Sequence, residues 1–187
     1  MAFKHGIETT ESEVESIAPQ TGSAGFQVIV GVAPINLAED PEAAVNTPVI
    51  AYSKTEAQRK MGYSSDFDSY TICQSISANG ALFNIAPYVM INVLDPKKHK
   101  KELSKKTVAV VAKTAHIAEQ GIMMATLSVT DQASTKLEAD KDYIASFDST
   151  GEIDITLLSS GKGATATSIN VTATQLDPSK VSESDIV

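Results

Sequence analysis

Tryptophan is absent, cysteine occurs once, and aromatic residues make up only 5% of the 187 positions. A single Cys excludes an internal disulfide framework and any multi-cysteine zinc centre. Cys73 itself lies in an apolar helical pattern and reads as a small buried hydrophobe. No apolar run approaches the ~20 residues that a membrane-spanning helix needs, so no membrane insertion is expected. Residues 1–10 carry Lys4 and His5 but none of the apolar core of a secretory signal. Basic residues are also short, 15 Lys and Arg against 23 Asp and Glu for a net charge of −8, which argues against broad nucleic-acid binding. These deficits point to a soluble, acidic protein made without disulfides, as in a cytoplasm. What is plentiful is apolar: 42% of the chain is hydrophobic, enough for one good core or two small ones.

Charge is unevenly spread. Six lysines stand against one glutamate in 97–106. Such a run reads as a solvated linker, here 96–106, joining two differently built halves. A phosphate-contacting patch is the rival reading, weakened because no aromatic interleaves the lysines to stack on a base. Residues 1–25 form a polar stretch with Phe3, Ile7, Val14 and Ile17 as scattered apolar positions. Glu8, Glu11, Glu13 and Glu15 line it, and Pro19, Gly22 and Gly25 interrupt it. No helical stripe emerges. Either this is a disordered terminus, or it is an extended arm that gains order by adding a strand to another subunit.

Residues 26–95 read as an α/β layer. The β-branched, nearly continuous apolar run at 26–33 predicts a strand covered on both faces. A loop follows over 34–47, then a short strand from Pro48 to Tyr52. Ser53 and Glu56 form a capping box in which the Glu56 carboxylate is expected to return to the Ser53 amide. The helix so started runs to about Met61 and stops at Gly62. A second helix, capped by Ser65 or Asp66, carries Phe67, Tyr70, Cys73 and Ile76 on one face, widened by Ile72. Residues 88–94 give a further buried strand. Three strands are few for such a layer, which suggests missing sheet partners.

Beyond Lys106 the pattern becomes all-β. Strands are expected at 107–112, 123–129, 143–147, 152–157 and 168–173, with Asp148 to Gly151 as a hairpin turn. Alternation places Ile153, Ile155 and Leu157 inward and Glu152, Asp154 and Thr156 toward water. Antiparallel pairing in a sandwich or small barrel follows. The overall class is α+β: a partial α/β core layer with an N-terminal extended arm, then an inserted all-β domain. The expected divisions are 1–25 arm, 26–95 core part, 96–106 linker, 107–176 β domain and 177–187 return segment.

Catalytic sets are not evident. Gly161-Lys162-Gly163 lacks the upstream glycine and following Ser/Thr of a phosphate loop, and reads as a turn. His5, His99 and His116 show no local metal spacing, and surface positions are expected for them. Asp140, Asp142 and Asp148 could serve acid–base chemistry or hold Ca²⁺, but aspartates at turns more often bond local backbone. Nothing supports a nucleophile–base pair. No enzyme activity, cofactor or metal is expected.

Several phrases, taken in order, resemble contractile phage tail sheath proteins, a family that also occurs in phage-tail-like bacteriocins. They are Lys4-His5-Gly6-Ile7 with the glutamate-rich arm, the strand at 26–33 followed by Pro34, and Asn46-Thr47-Pro48-Val49-Ile50. Asp140-Lys141-Asp142-Tyr143 with Asp148-Ser149-Thr150-Gly151-Glu152-Ile153 is similar to the hairpin of that family's inserted β domain. Leu176-Asp177-Pro178-Ser179-Lys180-Val181 with Asp185-Ile186 resembles the return into the core. The resemblance implies a subunit that stacks as hexameric rings around a tail tube and contracts to drive the tube through a cell envelope. It implies strand exchange between copies through the arm, with Phe3, Ile7, Val14 and Ile17 as anchors. It implies the tube protein and baseplate as partners, with no direct contact to nucleic acid. It places the protein in a virion tail, assembled in the bacterial host cytoplasm. Sheath subunits of this family continue further, so the chain is expected to be an N-terminal part whose remaining core half lies elsewhere.

Two other readings stay open. The β half could be a carbohydrate-binding or adhesin-like module, although Tyr143 and Phe147 are its only aromatics. The first half could belong to a small α/β enzyme, although it shows no catalytic set.

Overall fold

The computed structural model describes residues 27–42, 45–80 and 86–186. The arm expected at 1–25, with Phe3, Ile7, Val14 and Ile17, lies outside the described residues, as does His5.

Three strands form the first sheet: β1 (Gln27–Gly31), β2 (Val49–Ala51) and β3 (Tyr88–Asn92). β3 is central, parallel to β1 and antiparallel to β2. Two helices, α1 (Lys54–Met61) and α2 (Thr71–Ala78), cover one face. Ala57 and Met61 of α1 and Ile72, Cys73 and Ile76 of α2 meet Ile29, Ala51, Tyr88 and Met90 in one buried cluster. Gly31 permits the close approach of α2: a Cβ there would collide with the Thr71 hydroxyl. That hydroxyl instead accepts from Val32 N at 3.1 Å.

The helix signals hold with adjustments. Ser53 Oγ accepts from Glu56 N at 3.1 Å as expected, but the Glu56 carboxylate accepts from Tyr52 N at 2.9 Å rather than from the Ser53 amide. Gly62, with φ of 73°, ends α1 in a conformation open to glycine. α2 begins only at Thr71, later than Ser65 or Asp66, after a turn held by neighbouring polar side chains: Ser64 Oγ accepts from Asp66 N and Asp66 Oδ1 from Ser69 N.

The lysine-rich segment is not a linker. From Lys100 it forms β4 (Lys100–Ala109), an edge strand paired antiparallel with β10 (Ser168–Leu176). Lysine charge kept the sequence pattern from looking like a strand, yet lysine is a common guard on an exposed sheet edge. β6 (Ser128–Asp131) and β7 (Lys136–Leu137) complete that sheet in the order β4-β10-β6-β7. A second sheet, β5-β9-β8, contains β5 (Thr114–Ile117), β8 (Tyr143–Phe147) and β9 (Ile153–Leu157). The pairing between named strands in this half is antiparallel, as expected, with one isolated parallel bridge between Ala139 and Tyr143. The two sheets enclose one core as a sandwich, with no closed barrel; Ile153, Ile155 and Leu157 point inward as the alternation requires. The strand expected at 123–129 is instead a short 3-10 turn, Met124–Thr126, followed by β6.

The halves touch. Leu176, Met123 and Val181 pack on the α/β core, and Asn36 Nδ2 donates to the Ile122 carbonyl at 3.4 Å. Among the described residues no helix is long and apolar enough to cross a membrane.

Candidate interaction surface

Strand pairing places Val28 beside Val89 and Val30 beside Ile91, while Ile50 flanks Val89 on the other side. Paired residues share a face, so these five apolar side chains form one patch opposite the helices. Val28 is 59% exposed, Val30 47% and Ile50 43%. The expectation that the strand at 26–33 is covered on both faces is therefore corrected. No described element lies on that side, and the apolar run reflects a face left open. Sheets with parallel strands are normally covered on both sides. β1 and β2 are also both edge strands in the described sheet, although on β2 the Ile50 carbonyl already accepts from Lys60 Nζ at 2.7 Å.

The chemistry-bearing residues occupy structural places. Cys73 is fully buried, and burial pushes its thiol pKa up to about 11, so it is packed and unreactive. The Gly161-Lys162-Gly163 segment is a turn whose Lys162 amide donates to Asp142 Oδ1 at 2.9 Å. A carboxylate thus occupies an amide that a phosphate loop would turn to its ligand. Asp142 also accepts from Glu138 N, and these backbone donors hold it below the usual carboxylate range. Asp148 Oδ1 accepts from the amides of Thr150 and Glu152 and from the Thr150 hydroxyl, closing the hairpin turn. Asp148 therefore bonds local backbone, as expected of a turn aspartate, while Asp142 bonds the nearby Glu138 amide and also ties in the distant Lys162 turn.

The histidines divide. His99 is not a surface residue: it is 5% exposed, takes the Asp95 amide on Nδ1 at 2.9 Å and faces Asp185 through Nε2. His116 is half exposed on β5, with Nδ1 at 2.8 Å from Asp154 and Nε2 at 2.9 Å from Glu152. The Asp154 carboxylate, and then Glu152, raises its pKa above the ordinary range. Sequence reasoning missed this grouping because β5 was not foreseen, although the outward placing of Glu152 and Asp154 was.

No protein-family model matches the chain, and no solved structure matches it. A curated relative does: the tail sheath protein of Burkholderia phage BcepMu is 28% identical over 193 aligned residues. The match takes in 99% of this chain and 36% of the relative. The resemblance read from the sequence thus extends through both halves, and this chain, similar to a phage tail sheath protein from end to end, spans about a third of that relative's length.

Proposed function

We propose that the chain is the N-terminal part of a tail sheath subunit, a structural protein and not an enzyme. The subunit polymerises with its own copies as stacked hexameric rings around a tail tube and contracts to drive the tube through a cell envelope. The observation that carries this reading is the similarity to a tail sheath protein across nearly the whole chain. The open apolar face of the first sheet and the edge of β1, which has no strand partner among the described residues, support it, since both suit a piece that is finished by further chain and by neighbouring subunits. Strand addition at an edge supplies main-chain bonds that tolerate side-chain variation. A head-to-tail contact of this kind builds helical tubes. The arm, 1–25, is the exchanging segment, with Phe3, Ile7, Val14 and Ile17 as anchors. Tube and baseplate proteins are the other partners, and the virion tail is the site of action.

Electron microscopy of the complete gene product tests this. Full-length protein is expected to form sheath-like tubes, and removal of Met1 to Gly22 to abolish them while leaving the melting temperature of the subunit nearly unchanged. Tubes of normal length without the arm would remove the strand-exchange mechanism. Failure of the complete protein to assemble with itself or with a tail tube would remove the sheath assignment.

A further inference from the structure

The β5–β9–β8 sheet carries a group of side chains that the sheath reading does not use. His116 stands on β5 directly opposite Asp154 on β9, and Glu152 and Asp148 come from the turn that joins β8 to β9. One ligand atom from each of His116, Asp148 and Glu152 lies within 4.8 Å of the others. His116 Nε2 and Glu152 Oε2 are 2.9 Å apart, close to the ~3.3 Å that separates two ligands sharing a tetrahedral zinc ion with bonds of about 2.0–2.1 Å. Asp148 spends Oδ1 on the turn, and Oδ2 takes none of those three bonds. Three carboxylates surround one imidazole here, and among the described residues no lysine or arginine pairs with any of the three. The group therefore holds more negative charge than His116 can balance.

Both ring nitrogens of His116 face carboxylates, Nδ1 on Asp154 at 2.8 Å and Nε2 on Glu152 at 2.9 Å. Carboxylates only accept, so each contact calls for a ring proton, and a cation binds here by displacing the one on Nε2 while Asp154 keeps the one on Nδ1. A ring that donates from Nδ1 to a carboxylate presents Nε2 as the ligating nitrogen, and the carboxylate fixes the ring plane and raises its basicity. The backbone under these side chains is rigid, since β9 is hydrogen-bonded on both sides and the turn is closed by Asp148. The geometry points to a divalent-cation site of zinc type, with His116 Nε2, Glu152 and Asp148 as ligands, Asp154 as the positioning residue and water filling the remaining position. The imidazole selects zinc-like ions over Ca²⁺ and Mg²⁺, which prefer all-oxygen sites. This inference is independent of the sheath reading.

The test is titration of the 187-residue chain with zinc chloride in a non-chelating buffer, followed by calorimetry and by the side-chain ¹⁵N resonances of its histidines. One zinc per chain is expected, with the His116 Nε2 resonance moving and the His99 resonances unmoved. His116→Ala should abolish binding, Glu152→Gln and Asp148→Asn should weaken it at least tenfold, and Asp154→Asn should weaken it by about 10–100-fold. His5→Ala, excess Ca²⁺ and excess Mg²⁺ should change nothing. The histidine resonances of the unsubstituted protein decide the question even if a turn variant folds poorly. Absence of binding at about 1 mM zinc, binding that survives His116→Ala, or binding lost with His5→Ala would each overturn the site. Unaltered affinity in a folded Asp154→Asn variant would overturn the positioning role.

Discussion

His99 Nε2 lies 3.3 Å from Oδ2 of Asp185, across a sequence separation that spans the entire β half. The Asp95 amide donates to Nδ1, so the ring proton sits on Nε2 and faces the carboxylate. The main chain reinforces the contact, for Asp177 N donates to the His99 carbonyl at 2.8 Å. The junction where the first half hands over to β4 is thereby tied to the segment that returns after β10. His99→Ala should loosen 177–186 and cost about 1–3 kcal/mol, the range for removing one partner of a buried hydrogen bond. Hydrogen exchange should show protection lost in 177–186 but kept in β8 and β9.

Acid should act on the same segment. Bonds from the Ser182 amide and hydroxyl hold Asp185 below its ordinary pKa. Asp142, Asp177 and Glu119 are lowered as well, by the Lys162 and Glu138 amides, the Ser179 hydroxyl and the Lys106 ammonium respectively. A carboxyl with a depressed folded pKa adds stability that is present above its unfolded value and lost as pH falls through the folded one. Melting temperature should thus hold near neutrality and drop below about pH 4, where free carboxyls begin to protonate. Asp142→Asn and Asp185→Asn should each flatten part of that acid limb in thermal melts run from neutral to acid pH.

How much of this could be read in advance depends on how local each signal is. Alternation in Ile153, Ile155 and Leu157 is a property of neighbouring residues, and β9 lies where it was expected. Ser53 and Gly62 bound α1 for the same reason. β4 escaped because its pairing with β10 is made over a long separation while its own residues, Lys100 to Lys106, look solvated. β5 and β7 are short, four and two residues, and owe their form to their neighbours. His99 was misplaced on the surface because its burial depends on Asp185, far along the chain. Val28 and Val30 show the converse limit: an apolar run does not say whether the layer that would cover it is close at hand.

The lysines of β4 have a job as edge guards. β4 ends its sheet, so one row of its backbone groups has no described strand partner, and Lys101 and Lys105 stand exposed on it. Charge there opposes pairing with another chain. Replacing Lys101 and Lys105 with Val should leave the melt within about 0.5 kcal/mol yet promote self-association, visible as larger species in light scattering. Replacing Lys97 and Lys98, which precede β4, with Ser should alter neither the melt nor the oligomeric state. DNA affinity should be negligible at physiological salt in all these proteins.

On the proposed sheath reading, the open sheet face separates what stabilises this chain from what the complete subunit requires. Ile155 sits fully buried between two sheets, so Ile155→Ala should cost about 2–5 kcal/mol wherever it is measured. Val28 and Val30 lie on the uncovered side of β1, and Val28→Ser with Val30→Ser should shift the melt of the 187-residue chain by no more than about 0.5 kcal/mol. In the full-length protein the same pair of changes should be strongly destabilising, because a layer packed on that face would then meet two hydroxyls where it needs apolar surface. Melts of both lengths with and without the two substitutions form a cycle whose difference isolates the contribution of the covering layer. An equal, small effect in both lengths would show that the face stays open in the whole subunit and is reserved for a neighbour, and assembly by electron microscopy should then fail in the variant although its fold survives.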